Sequence, residues 1–356
     1  MFLKNSWYAA GWAQDFPADG VKAMTIIGEN LVFHRGLDGR LLCKADLCPH
    51  RLAPLSRGRV EGDHLRCMYH GLRFGPDGRC VEIPGQKLIP ASVCVRVYPV
   101  IERYGVVWVW MGDPARADEG FIPDFHGLDH PDWAYRPGRM EYDANYILIN
   151  DNLLDLSHIA YVHAASFGGG EQQASEEWAD APVSMTPLDR GVRVSRWVVN
   201  TAGAPFTRDI TGPLTDQYVT YDFIVPGIFL LHQLTFKVGA AAASGMGPPD
   251  PSLEPAARQF TCQAVTPFTE RSSCYIFAFG PEKKFAEHEP VFWQIGNMAF
   301  NEDKVMIEAQ QRMIDANPAV KMKPLSMDSA TNHFRAMMNR LMREEGTLAV
   351  PKTVDA

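Results

Sequence analysis

Cys48-Pro49-His50, followed sixteen residues later by Cys67-Met68-Tyr69-His70, constrains this chain more than any other feature. Two thiols and two imidazoles that arrive as pairs on two turns can close one metal centre, so the fold must bring two separate loops together. Structural zinc commonly groups its ligands otherwise, with cysteines paired in one arm and histidines in the other. Here each arm carries one Cys and one His, and Gly58, Gly62 and Gly71 beside them suit tight loops. The surrounding sequence reads as short strands with turns between them. Met24–Ile27 and Leu31–Arg35 flank Gly28-Glu29-Asn30, Asp38-Gly39 precedes the run 40–46, and Pro76-Asp77-Gly78 separates 72–74 from 80–83. Runs 94–100 and 105–111 follow, and the first 115 residues are expected to form a small all-β unit.

The mixed arms fit a Rieske [2Fe–2S] centre, in which two Cys hold one iron and two His replace Cys on the other. A zinc site and a chance meeting of buried Cys with satisfied His are the competing readings. Seven cysteines in 356 residues are an odd count at low density, which argues against a disulfide framework. The other five, Cys43, Cys80, Cys94, Cys262 and Cys274, lack metal-ligand spacing and are expected to be buried small hydrophobes.

The stretch CPHRLAPLSRGRVEGDHLRCMYHGLRFGPDGRC, with NSWYAAGW before it and YPVIERYGVVWVWMGDPA after it, resembles the Rieske domain of aromatic O-demethylase oxygenases of the vanillate and dicamba type. A polar connector, GDPARADEGFIPDF, then leads into a different texture, and the boundary is placed near residue 115, giving units 1–115 and 116–356. The second unit reads as α+β. Strand-like runs recur at 192–199, 218–225, 228–238, 260–265 and 274–279, and helical spacing recurs at 145–163 and 290–317. In the latter, Ile295, Met298, Ala299, Glu302, Met306 and Ala309 lie at helical spacing and form the expected inward stripe. Residues 239–257 (GAAAASGMGPPDPSLEPAA) read as a long mobile loop of the kind that serves as a lid.

The segment NYILINDNLLDLSHIAYVH carries Asp151, Asn152, Asp155, His158 and His163 among apolar residues. Two His and a remote carboxylate would make the facial triad of non-haem Fe(II) oxygenases. Yet positions i and i+5 of a regular helix lie about 140° apart, so a shared metal requires the helix to end or to carry a π-type irregularity between the two His. By spacing alone, two ordinary helix histidines remain the competing reading. The resemblance implies more. It assigns His158 and His163 to a mononuclear iron in a helix-grip domain, a curved antiparallel sheet around a long helix. It takes the third ligand from the helix 290–317, where Asp303 matches, with Glu302 and Glu308 as neighbouring competitors. Asp155, three residues before His158, is expected to accept a hydrogen bond from that imidazole, and Asn152 to lie close by. The resemblance also implies a cyclic homotrimer in which electrons pass from one subunit's cluster, through His70, to Asp155 and the iron of the next.

The implied activity is oxidation of a small aromatic substrate by O2, with electrons from NADH delivered through a separate flavin and iron–sulfur reductase. O-demethylation with release of formaldehyde is the expected reaction; N-dealkylation and ring hydroxylation use the same iron chemistry. Leu230, His232, Leu234 and Phe236 on one strand face, together with Phe223, Ile224 and Phe229, are the expected pocket residues, although packing alone would account for each. A non-catalytic helix-grip ligand carrier and a Rieske electron carrier with an inert extension are the alternatives from other classes. With 34 basic against 42 acidic side chains, a net charge of −8 and no run of five basic residues, neither nucleic acid nor anionic lipid is an expected partner. No apolar run approaches the about 20 residues of a membrane span, and the first twenty residues lack a signal-peptide core, so a cytoplasmic location is expected.

Overall fold

The computed structural model describes residues 1–163, 165–166, 176–203 and 208–349. The N-terminal part is all-β, as expected. A three-stranded sheet joins Trp7–Trp12, Val106–Trp110 and Val100–Arg103; a four-stranded sheet joins Val21–Ile26, Glu29–Arg35, Leu41–Ala45 and Val97–Tyr98. A third sheet, made of the short strands Arg59–Glu61, His64–Arg66, Arg73–Phe74 and Cys80–Glu82, carries the two metal-type loops. The hairpin between the second sheet's first two strands turns at Ile27 (φ 46) and Gly28 (φ 78), one residue earlier than its sequence suggests. Two consecutive positive φ values are what a two-residue turn needs to match strand twist.

The second part is built on a seven-stranded antiparallel sheet in the order Arg136–Tyr142, Ser272–Pro281, Ala257–Thr269, Ile228–Phe236, Leu214–Ile224, Gly191–Ala202 and Ser184–Leu188. Alternation along these strands divides two cores. Val192, Val194, Val219, Tyr221, Phe223, Phe229, Val265, Tyr275 and Phe277 face the helices Tyr146–Leu154, Glu289–Ala316 and Ser329–Glu344. Ile228, Leu230, Phe260, Cys262, Ala264, Cys274, Ile276 and Ala278 face the other way, against Trp7, Trp12, Trp108, Trp110 and Phe125 of the N-terminal part and connector. The sheet is therefore the middle layer of three. The indole N–H of Trp12 donates across this junction to the Gly138 carbonyl at 2.9 Å, and the Ile27 and Gly28 amides donate to the carbonyls of Pro267 and Phe268, each at 2.8 Å.

Three expectations change here. Residues 239–257 are not a lid on the helix side. A short helix, Ala240–Ala243, packs with Trp197 and Phe236 on the opposite face, Asp216 accepts from the Gly239 and Ala241 amides, and Trp197 donates to the Gly247 carbonyl. The long helix buries Phe292, Gly296, Ala299, Asp303, Ile307 and Gln311, while Met298 and Met306 are exposed, so its inward stripe is rotated from the one expected. Cys94 is exposed; the other four non-motif cysteines are buried.

Lys44 and His34 lie buried between the second sheet and the loop-bearing third, with Lys44 Nζ 3.0 Å from His34 Nε2. Burial, and then the Lys44 charge, push the His34 imidazole down to about 4; burial pushes Lys44 down to about 8. The folded chain thus holds His34 neutral where an unfolded one, with its ordinary value of about 6.5, would bind a proton. Stability from this group is complete above about pH 6.5 and is lost as pH falls towards about 4. His34→Gln should accordingly flatten the acid limb of unfolding, measured as the unfolding midpoint between pH 7 and pH 4; an unchanged acid limb would exclude His34 as its source.

Candidate metal centres and active site

The two N-terminal loops have matching backbones. The Cys48 carbonyl accepts from the Leu52 amide at 2.9 Å and the Cys67 carbonyl from the Gly71 amide at 3.0 Å, so each loop closes four residues after its Cys. Gly71 has φ +78, and a Cβ there would lie 2.7 Å from Pro84, so a side chain is excluded twice over. Cys48 and Cys67 are buried, whereas His50 and His70 are exposed with ring centroids 4.4 Å apart. Burial, together with the neighbouring Cys67, pushes the Cys48 thiol up to about 11. Two inner thiols and two outer imidazoles are the donor set a Rieske cluster requires.

The second constellation is assembled by a break in a helix. Tyr146–Leu154 ends at Asp155, whose φ of −123° and ψ of 94° are extended; a 3-10 turn, Leu156–His158, and a short helix, Ile159–Val162, then bring His163 round. The required irregularity therefore exists, but it precedes His158 and does not fall between the two histidines. Their rings sit 5.1 Å apart, and both Nε2 atoms lie 3.4 Å from Oδ1 of Asp303. Ligand atoms of these three residues all fall within 4.8 Å of one another. Asp303 is 6% exposed, and Asn152 Nδ2 donates to its Oδ1 at 3.0 Å.

Each imidazole is also held from behind. Nδ1–H of His158 donates to the backbone carbonyl of Asp155 at 2.5 Å, leaving Nε2 with a free lone pair. The expected partner was the Asp155 carboxylate, which instead accepts from the Ser157 amide at 2.9 Å and caps the 3-10 turn; extended backbone at position 155 aims the carbonyl, not the side chain, at the ring. Nδ1–H of His163 donates to Glu302 Oε2 at 3.0 Å. Burial, the leading influence, pushes His158 down; on His163 it is outweighed by the Asp303 and Glu302 carboxylates, which move that imidazole up. Two imidazole nitrogens and one carboxylate converge, with His163 and Asp303 buried and His158 partly so, and form a donor set for a divalent ion with positions left open.

Other expected site residues separate by sheet face. Phe223 lies on the helix side, fully buried against Phe229 and Phe334. Leu230 and His232 lie on the opposite face. Leu230 packs into the tryptophan-rich junction, and His232 is exposed beside His126 and Phe260. Both are corrected as pocket residues, because strand alternation alone does not say which face meets the metal. The helix-side positions of the same strand are Phe229, Leu231 and Gln233, the last donating to Gln217 at 3.0 Å.

Residues 6–99 match the Rieske [2Fe-2S] domain, and residues 142–344 match the vanillate O-demethylase oxygenase C-terminal domain. The chain belongs to this oxygenase family. It is 35% identical to the iron-sulfur subunit of the toluene-4-sulfonate monooxygenase system of Comamonas testosteroni, over 99% of this chain and 100% of that one. It is 34% identical to a vanillate O-demethylase oxygenase subunit of a Pseudomonas species, covering 97% and 96% of the two chains. The crystal structure of dicamba monooxygenase bound to 3,6-dichlorosalicylic acid superposes with a TM-score of 0.83 at 29% identity, over 97% and 98% of the chains. This is therefore a Rieske non-haem iron monooxygenase component, with a [2Fe–2S] cluster, a mononuclear iron and a separate reductase. No described helix is long and apolar enough to cross a membrane.

Holoenzyme should contain about three irons per chain, two in the cluster and one in the triad. Asp303→Asn or His163→Ala should lower this to about two while leaving the cluster's visible absorbance intact; retention of the third iron by both variants would place it elsewhere.

Proposed function

We propose that the chain is the terminal oxygenase of a system that demethylates a methoxylated aromatic acid of the vanillate type. The observation that carries this reading is the convergent triad of His158, His163 and Asp303 on the aromatic, helix-covered face of the sheet, in a chain similar along nearly its whole length to a vanillate O-demethylase subunit. Bound Fe2+ supplies O2 activation. The chain's own residues hold and shield the site. Asn152 fixes the Asp303 carboxylate, the Asp155 carbonyl and Glu302 fix the two rings, and the aromatic sheet face of Phe223, Phe229, Tyr275 and Phe277 packs on the helices beside them. In the overall reaction NADH supplies two electrons, one oxygen atom enters the methyl C–H bond and the other leaves as water. The resulting hemiacetal breaks its C–O bond to give a phenol and formaldehyde. A second reading, hydroxylation of a ring methyl group, is favoured by the toluene-4-sulfonate relative.

In this reading residues 1–115 store the electron and 116–356 use it, in the cytoplasm and as a cyclic homotrimer in which His70 of one subunit approaches Asp155 of the next. Exposure of His70 at the cluster tip supports that arrangement. Asp155→Asn should leave both metal centres filled and slow turnover by orders of magnitude; rapid turnover by a fully loaded variant would remove Asp155 from the electron path. The reaction itself is tested with NADH and a generic ferredoxin reductase against methoxybenzoates, toluenesulfonate and N-alkyl anilides. Substrate-dependent O2 uptake with equimolar formaldehyde from a methoxybenzoate is expected, whereas a hydroxymethyl arene without formaldehyde would replace demethylation by the second reading.

A further inference from the structure

The two imidazoles that face Asp303 are backed by acceptors of different charge. Behind His158 stands a neutral carbonyl, that of Asp155; behind His163 stands the carboxylate of Glu302, at 3.0 Å. Ser166 Oγ donates to the same oxygen, Oε2, at 2.7 Å, and Ser166 and His163 are only 2% and 3% exposed. Glu302 and Asp303 are consecutive on the long helix, so one turn presents two carboxylates to one imidazole from opposite sides, Asp303 at Nε2 and Glu302 at Nδ1.

We infer that Glu302, anchored by Ser166, is a positioning residue that tunes the iron site through His163, making that histidine the stronger of the two nitrogen donors. The physical basis is the hydrogen bond from a ligating imidazole to an anion, which fixes the tautomer with Nε2 unprotonated and raises the donor strength of that nitrogen. A neutral carbonyl does the first and much less of the second. Glu302 does not itself compete for the metal position, because the His163 ring stands between its oxygen and Asp303. Ser166 matters because a glutamate on an accessible helix flank would otherwise exchange its imidazole partner for water; the hydroxyl holds Oε2 in line with Nδ1. The site would then be electronically lopsided, with negative charge concentrated on the His163–Asp303 side.

The inference rests on His163 and Asp303 binding a common metal, and the experiment separates the two. Fe2+ dissociation constants are measured by chelator competition for the wild type, Glu302→Gln, Glu302→Ala and Ser166→Ala, with the cluster absorbance as an internal control of folding, and the visible spectrum of the Co2+-loaded site reports ligand strength directly. Glutamine still accepts from Nδ1 but carries no charge. Glu302→Gln is expected to weaken Fe2+ binding roughly 10–100-fold and to shift the Co2+ bands, with Ser166→Ala moving both in the same direction by less. If Glu302→Gln binds Fe2+ with the wild-type constant and an unshifted Co2+ spectrum, and only Glu302→Ala is weakened, the residue fills space and the inference is overturned. Should either glutamate variant lose the cluster, Ser166→Ala decides by the same two readouts. A wild-type protein that binds no metal beyond its cluster would instead remove the triad reading itself.

Discussion

The break at Asp155 is the constraint on which the iron site depends. It ends the helix from Tyr146 before either histidine, so that both ligands stand on a separately directed turn and short helix, Leu156–His158 and Ile159–Val162. Extended backbone at this one residue acts in three ways. It re-aims the following turn, it turns the Asp155 carbonyl onto Nδ1 of His158, and it frees the Asp155 carboxylate to cap that turn through the Ser157 amide. The intact turn before the break keeps Asn152 on the inward side, where its amide reaches Asp303. The interruption therefore orients His158, and the turn before it steadies Asp303, which a different helix delivers.

That third ligand also explains the length of Glu289–Ala316. A helix carrying Asp303 in its buried stripe must first pack, and Phe292, Gly296, Ala299 and Ile307 do so against the sheet and its neighbours. At Gly296 a Cβ would stand 2.7 Å from the Phe279 ring, so glycine is what lets the helix approach this closely. Asp303 is thus positioned by apolar contacts on both sides along the helix, and its charge is tolerated in the core because Asn152 and the two imidazoles surround it.

Much of this was legible in the residues, for physical reasons that can be named. Mixed Cys–His arms specify a cluster because few other centres take two soft and two nitrogen donors from two loops, and five of the seven strands of the large sheet read as strand-like runs, whereas its edge strands Arg136–Tyr142 and Ser184–Leu188 carry no such run. What sequence does not carry is absolute orientation. Alternation groups Leu230 with His232 and, in the neighbouring register, Phe223 with Phe229, but which group meets the metal is decided by the layer that packs on each face. The role of Glu302 was hidden for a related reason. On a helix it is one acid among Glu302, Asp303 and Glu308, and its pairing with His163 needs the break at Asp155, 147 residues upstream of it in the chain. Residues 239–257 looked mobile from their Gly, Ala and Pro content; Asp216, a buried carboxylate on a distant strand, supplies the acceptors that dock them.

The two metal centres are built for opposite exposures. His50 and His70 are open to solvent, and Met68, Tyr69 and Leu52 around them are exposed apolar side chains, so this tip can be approached by another protein surface. His163 and Asp303 are closed off between the long helix and the sheet. A centre that must accept electrons from a separate reductase requires a short path to solvent, while one that activates oxygen requires water to be excluded until substrate is in place. One domain cannot satisfy both demands at one position. The three-layer arrangement does so by giving each centre its own side: the sheet's helix face for the iron, and beyond its other face a tryptophan-lined junction that carries the cluster loops outward to the surface.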